Sequence, residues 1–174
     1  MLLESLCEVI LRPRLTTTYK KNRTALFWFK TGLDLVENIN SKEAFDLLQK
    51  DEHAILIDVR TKKEQLAVGV PDLHKIGKET YIIEWKNSIL PGSRKRFLND
   101  FNENLGLSNE GKYIFICRSG IRSNFAALTV EESFDSGNYS GRCFNVEDGF
   151  EGHEQSLGYP QKPTGWKNLG LPWK

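Results

Sequence analysis

The sequence predicts one α/β domain with a mostly parallel central sheet flanked by helices, and three observations predict it. Residues 55–59 and 113–117 are short, predominantly apolar runs, the first interrupted only by Asp58, as expected of strands buried on both faces of a parallel sheet. Residues 93–105 carry Phe97, Leu98, Phe101 and Leu105 on one helical face, with Gly106 placed to end the helix, and strands separated by helices imply crossovers and parallel pairing. The 174 residues, 39% hydrophobic and 27% charged, suffice for one ordinary core.

Residues 1–32 are read as an extension, expected to be poorly ordered, and 33–174 as the domain. A weak strand over 35–37 comes first, then a helix over 41–49 that starts on Ser41, a residue type suited to a helix N-terminus. The strand 55–59 brings Asp58 and Arg60 to its carboxyl end. A second weak strand covers 81–84 and precedes the helix 93–105. After the strand 113–117, a helix is expected over 123–134, and a last weak strand over 143–146. Cys143 opens that strand and reads as a small core residue, with a resolving thiol as the alternative. In the Pro- and Gly-rich tail, Trp166 and Trp173 either pin the tail to the domain or cap a pocket mouth.

The segment Cys117-Arg-Ser-Gly-Ile-Arg-Ser123 carries the chemistry. It joins a buried strand to a helix, so loop N–H groups and the unsatisfied N–H groups of the helix start can converge on the cysteine sulfur. An anionic sulfur, or an anion attached to it, is favoured there. Gly120 permits the sharp turn, Arg118 and Arg122 add positive charge suited to an oxyanion, and Ser119 and Ser123 offer hydroxyl donors. With Ile121 these residues form the candidate cradle around Cys117. The alternative is a buried structural cysteine, which does not call for two arginines and a glycine beside it.

The chain here resembles the rhodanese-type sulfurtransferases, over about residues 34–174. The resemblance rests on Ile55-Leu-Ile-Asp-Val-Arg60-Thr, Gly69-Val-Pro-Asp72, the Cys117 loop, Asn145-Val-Glu-Asp-Gly-Phe-Glu-Gly152 and Gly165-Trp-Lys-Asn-Leu-Gly-Leu-Pro-Trp173, in the family's order. It is nearest to single-domain members with a Gly-Trp and Gly-Leu-Pro-Trp tail. One block departs: Gly69-Val-Pro-Asp72 stands where the family commonly has Gly-His-Ile-Pro-Gly. The resemblance implies a rhodanese-like fold and a catalytic Cys117 that carries sulfur as a persulfide. It also implies a supporting role for Asp58 and Arg60, which by chemistry alone could equally be a structural ion pair.

Three function classes follow. In the first, Cys117 takes sulfane sulfur from a donor such as thiosulfate and passes it to a thiol or cyanide, with a small molecule or a protein as acceptor. The second is a cysteine-based phosphatase or arsenate reductase. Those enzymes place five residues between the cysteine and the closing arginine, whereas four separate Cys117 from Arg122, a ring sized for one sulfur atom. The third is a non-catalytic regulatory module on the same fold, and retention of Cys117 argues against it.

The formal charge of +1 gives no reason to expect nucleic acid or a membrane as partner. Charge is uneven: residues 1–31 hold six basic and two acidic residues, or +4, leaving −3 for the rest. Three cysteines, Cys7, Cys117 and Cys143, are too few for a disulfide framework, which points to a reducing, cytoplasmic setting. His53, His74 and His153 lie far apart and read as surface residues, so neither a metal nor another cofactor is expected. Glu4 and Glu8 interrupt what could otherwise be a signal peptide. Residues 9–33 lack acidic side chains and resemble an organelle transit peptide in composition, which keeps organelle import open as an alternative.

Overall fold

A computed structural model describes residues 36–85, 92–137, 141–152 and 163–174. The expected N-terminal extension with Cys7, the first residue of the expected 35–37 strand, and His153 lie outside them.

Five parallel strands form one sheet: β1 (Glu37–Ile39), β2 (Ala54–Asp58), β3 (Thr80–Ile82), β4 (Lys112–Ile116) and β5 (Arg142–Val146). Their spatial order is β1-β5-β4-β2-β3, which sets β2 and β4 side by side near the centre and leaves β3 at an edge. The helices are α1 (Ser41–Lys50), α2 (Lys62–Val68), α3 (Ser93–Asn104) and α4 (Ile121–Gly137). This is the α/β architecture that the alternating pattern implied.

Alternation along the central strands divides the core. Ile57, Phe115 and Cys117 join Phe97, Phe101, Ala126 and Val130 on the face covered by α3 and α4. Leu56, Ile114 and Ile116 join Ala44, Leu48, Phe150 and Trp166 on the other. Both faces being covered, β2 and β4 are apolar on both faces at 54–57 and 113–116, each large side chain contributing roughly 1.5–3 kcal/mol by burial.

Several boundaries differ from expectation, each for a physical reason. Helix α1 starts at Ser41 as expected and runs one residue further, to Lys50, but its cap is Asn40, whose side chain accepts from the N–H groups of Lys42 and Glu43 in a capping box, which leaves Ser41 to turn inward. Helix α4 begins at Ile121, two residues before the expected position 123, because the positive φ of Gly120 completes the turn there. The first weak strand sits later, at Glu37–Ile39, in parallel register with β5. Helix α2 was not expected; it is a single short element capped by Thr61 and Glu64, with Gln65 as its buried side chain.

The tail is pinned. Trp166 is fully buried, donates its indole N–H to the Pro172 carbonyl at 2.7 Å, and packs edge-on against Phe45. The divergent block pairs with the chain's last residues: the Val70 N–H donates to the Lys174 carbonyl at 2.8 Å and the Lys174 N–H to the Val70 carbonyl at 3.0 Å. Trp173 remains 44% exposed.

Candidate functional site

Strand β4 ends at Ile116, so Cys117 is the first residue past the carboxyl edge of the sheet, where parallel α/β sheets bind ligands. β2 ends beside it, with Asp58 in register with Ile116. The topology alone therefore brings Cys117, Asp58 and Arg60 to one edge.

Residues 117–120 form the loop, and Ile121, Arg122 and Ser123 are the first turn of α4, whose opening N–H groups have no acceptor within the helix. A second segment holds the loop from behind. The Phe150 N–H donates to the Cys117 carbonyl at 2.8 Å, and the Glu151 N–H donates to the Arg118 carbonyl at 3.1 Å. With those carbonyls drawn away from the sulfur, the peptide dipoles favour negative charge on the sulfur side. The two backbones touch only because both segments carry glycine at the contact. A Cβ on Gly120 would lie 2.0 Å from the Glu147 carbonyl oxygen, and one on Gly149 would lie 2.4 Å from the Arg118 carbonyl oxygen. Both have φ in the left-handed region, at 85° and 65°.

Cys117 is 1% exposed. The Ser123 hydroxyl lies 3.3 Å from its sulfur and 3.0 Å from the Gly120 carbonyl, so its single proton has two acceptors, of which a charged sulfur is the stronger.

The arginines are partnered. Arg122 donates from Nη1 and Nη2 to the two oxygens of Glu64 at 2.9 and 2.5 Å, a bidentate pair linking α4 to α2. The Arg122 guanidinium, then burial in opposition, then the Thr61 bonds, leave the Glu64 carboxyl held down to about 2 from an ordinary 4.5. The charged form of Arg122 is favoured first by Glu64 and further by Cys117 and Asp58, so this guanidinium stands in the field of the site. Arg118, with a side chain 54% exposed, has its Nε 3.5 Å from Glu151. Each cradle arginine thus faces a carboxylate.

Asp58 and Arg60 form a fully buried pair: Nε donates at 3.0 and 3.1 Å and Nη2 at 2.7 Å to the Asp58 carboxylate. Nη2 also reaches the Gly69 carbonyl at 2.8 Å, and the guanidinium stacks 4.0 Å over Phe150, one of the two residues whose N–H groups anchor the loop. The pair is thereby linked to the cysteine loop through Phe150.

Sequence reasoning missed two residues. Glu64 carried a readable signal, the Thr61-x-x-Glu64 capping box, although its partner Arg122 is far away in sequence. Asp148 is 5% exposed and accepts from the Ser41 N–H at 2.8 Å, the Ser41 hydroxyl at 2.7 Å and the Gly165 N–H at 2.8 Å. It ties the start of α1 and the tail to the segment behind the cysteine loop.

Cys143 is buried as expected of a core residue, and desolvation, then the nearby Glu131, pushes its thiol well up. His53 and His74 are surface residues near carboxylates. Among the described residues no cluster could hold a metal ion, and no helix is long and apolar enough to cross a membrane.

Comparison with known proteins finds similar sequences and structures. The sequence model of the family described as Rhodanese-like domain matches residues 41–156. An uncharacterised protein of Rickettsia conorii is 34% identical over 143 residues, covering 80% of this chain and 98% of that protein. The chloroplastic rhodanese-like domain-containing protein 4 of Arabidopsis thaliana is 27% identical over 134 residues, which cover 77% of this chain and only 25% of that longer protein. Among solved structures, a protein from M. tuberculosis superposes with a TM-score of 0.61 at 33% identity, covering 80% of this chain and 97% of its own.

Proposed function

The chain belongs to the rhodanese-like domain family, and from that premise we propose that it is a sulfurtransferase working through a persulfide on Cys117. The observation that carries the proposal is the four-residue spacing from Cys117 to Arg122, with Gly120 locked against Glu147, which gives a ring fitted to one added sulfur atom.

In the first half reaction, the Cys117 thiolate attacks the outer sulfur of a donor such as thiosulfate. The donor's S–S bond breaks and sulfite leaves with the bonding pair. In the second, a thiolate or cyanide attacks the outer persulfide sulfur and the Cys117 thiolate is the leaving group. No proton has to move at the sulfur in either step, so no histidine base is needed. The helix start and the loop dipoles stabilise the anionic sulfur in both states. Arg118 and Arg122 receive the donor's oxyanion by exchanging part of their contact with Glu151 and Glu64. Ser119 lines the cradle between them, and the Ser123 hydroxyl donates to the sulfur. Asp58 and Arg60 hold the floor. The acceptor is a small thiol or a protein thiol.

The test is steady-state turnover of thiosulfate and cyanide set against turnover of an aryl phosphate, in the unmodified chain and in Cys117→Ser. Sulfur transfer lost in the variant, with no phosphate turnover in either, is the expected result. Robust aryl phosphate turnover by the unmodified chain overturns the proposal.

A further inference from the structure

A groove of about 1020 Å³ runs between α2, the edge strand β3 and the C-terminal tail, and Cys117 takes no part in it. Its walls include Leu66, Ile82 and Trp173, which are 80%, 52% and 44% exposed. Single exposed apolar residues are ordinary, but three large ones lining one groove form a patch of the kind that marks an interaction site. Walls this exposed do not enclose a small ligand, which buries about 70–90% of its surface when bound. The shape suits a segment of a macromolecule.

Charge narrows the choice of occupant. Lys62, Lys167 and Lys174 line the groove, and among the described lining residues the one acidic side chain is Glu84, whose Oε1 already accepts the Lys62 N–H at 2.8 Å. Lys167 is fixed in place: its Nζ donates to the Val68 carbonyl at 3.0 Å and lies 3.8 Å from the centre of the Trp173 ring. A second copy packed groove to groove would bring six lysines into one interface, at the cost of like-charge repulsion. The chain's own residues 1–31, at +4, carry the same sign.

We propose that this groove docks a short segment of a partner protein rich in leucine-like and acidic side chains. Its apolar residues pack between Leu66, Ile82 and Trp173, and its carboxylates meet the three lysines. The inference does not depend on the sulfur chemistry.

Fluorescence anisotropy with the full chain and three labelled peptides tests it: one of leucine and glutamate, one with lysine for each glutamate, one with serine for each leucine. The leucine-glutamate peptide is expected to bind about tenfold or more tightly than either control. That preference should be lost in Leu66→Ser and in the double variant Lys62→Glu with Lys174→Glu, both keeping the unmodified melting temperature. Equal affinity for the three peptides overturns the proposal, as does binding indifferent to the groove variants. So does sedimentation in which Leu66→Ser breaks a dimer, or Leu66-dependent binding to phosphatidylserine vesicles with no peptide preference.

Discussion

Replacing Glu64 by Gln isolates the ion pair that joins α2 to the cysteine loop. Gln keeps an oxygen acceptor for the Thr61 capping box but removes the charge facing Arg122. A carboxyl held at about 2 in place of 4.5 corresponds to roughly 3 kcal/mol of interaction, at ~1.36 kcal/mol for each tenfold change in proton affinity. The side chains of Arg122 and Glu64 are 32% and 30% exposed, so screening by water reduces this to about 1–2 kcal/mol. The sign follows from the depressed value. The contribution is fully present above the ordinary carboxylate range and disappears as pH falls from about 4.5 to about 2. Urea unfolding at neutral pH should show Glu64→Gln less stable by that amount, and the variant should lose less stability than the unmodified chain across the acid window. A double-mutant cycle with Arg122→Gln should return a coupling of about 1–2 kcal/mol. Coupling below about 0.3 kcal/mol, or parallel acid titrations, would refute the reasoning.

Three further substitutions probe the support of the loop. Gly120→Ala places a methyl group 2.0 Å from the Glu147 carbonyl at a φ of 85°, and should cost about 2–5 kcal/mol in urea unfolding and abolish sulfur transfer; an unchanged unfolding midpoint would show that the two segments part easily. Asp148→Asn sets an amide N–H₂ against either Ser41 or Gly165 and should destabilise by about 2–4 kcal/mol, checked by thermal and urea unfolding. Ser123→Ala removes the hydroxyl 3.3 Å from the sulfur and should slow sulfur transfer by roughly fivefold, about 1 kcal/mol, with little change in stability, as read by single-turnover kinetics.

The parts legible in the sequence are those whose cause is local. The runs leading to Asp58 and to Cys117 are apolar because both faces of their strands are covered, and the cysteine, glycine and serine that follow Ile116 announce a turn into a helix. Helix α2 escaped because its apolar residues make no periodic face: Leu66 points outward at 80% exposure while the polar Gln65 is buried. Ser41 read as a helix start on type alone, whereas its hydroxyl is used on Asp148 and Asn40 caps the helix. The partners of Arg122, Asp148 and the Gly69 block are brought in by the order of strands, and no spacing along the chain encodes them.

The central claim is that sulfur rests covalently on Cys117, and intact mass spectrometry after incubation with thiosulfate addresses it most directly. The account predicts a gain of one sulfur atom per chain, removed by cyanide or dithiothreitol, retained in Cys143→Ser and absent from Cys117→Ser. No gain in the unmodified chain, or a gain that persists in Cys117→Ser, would contradict it.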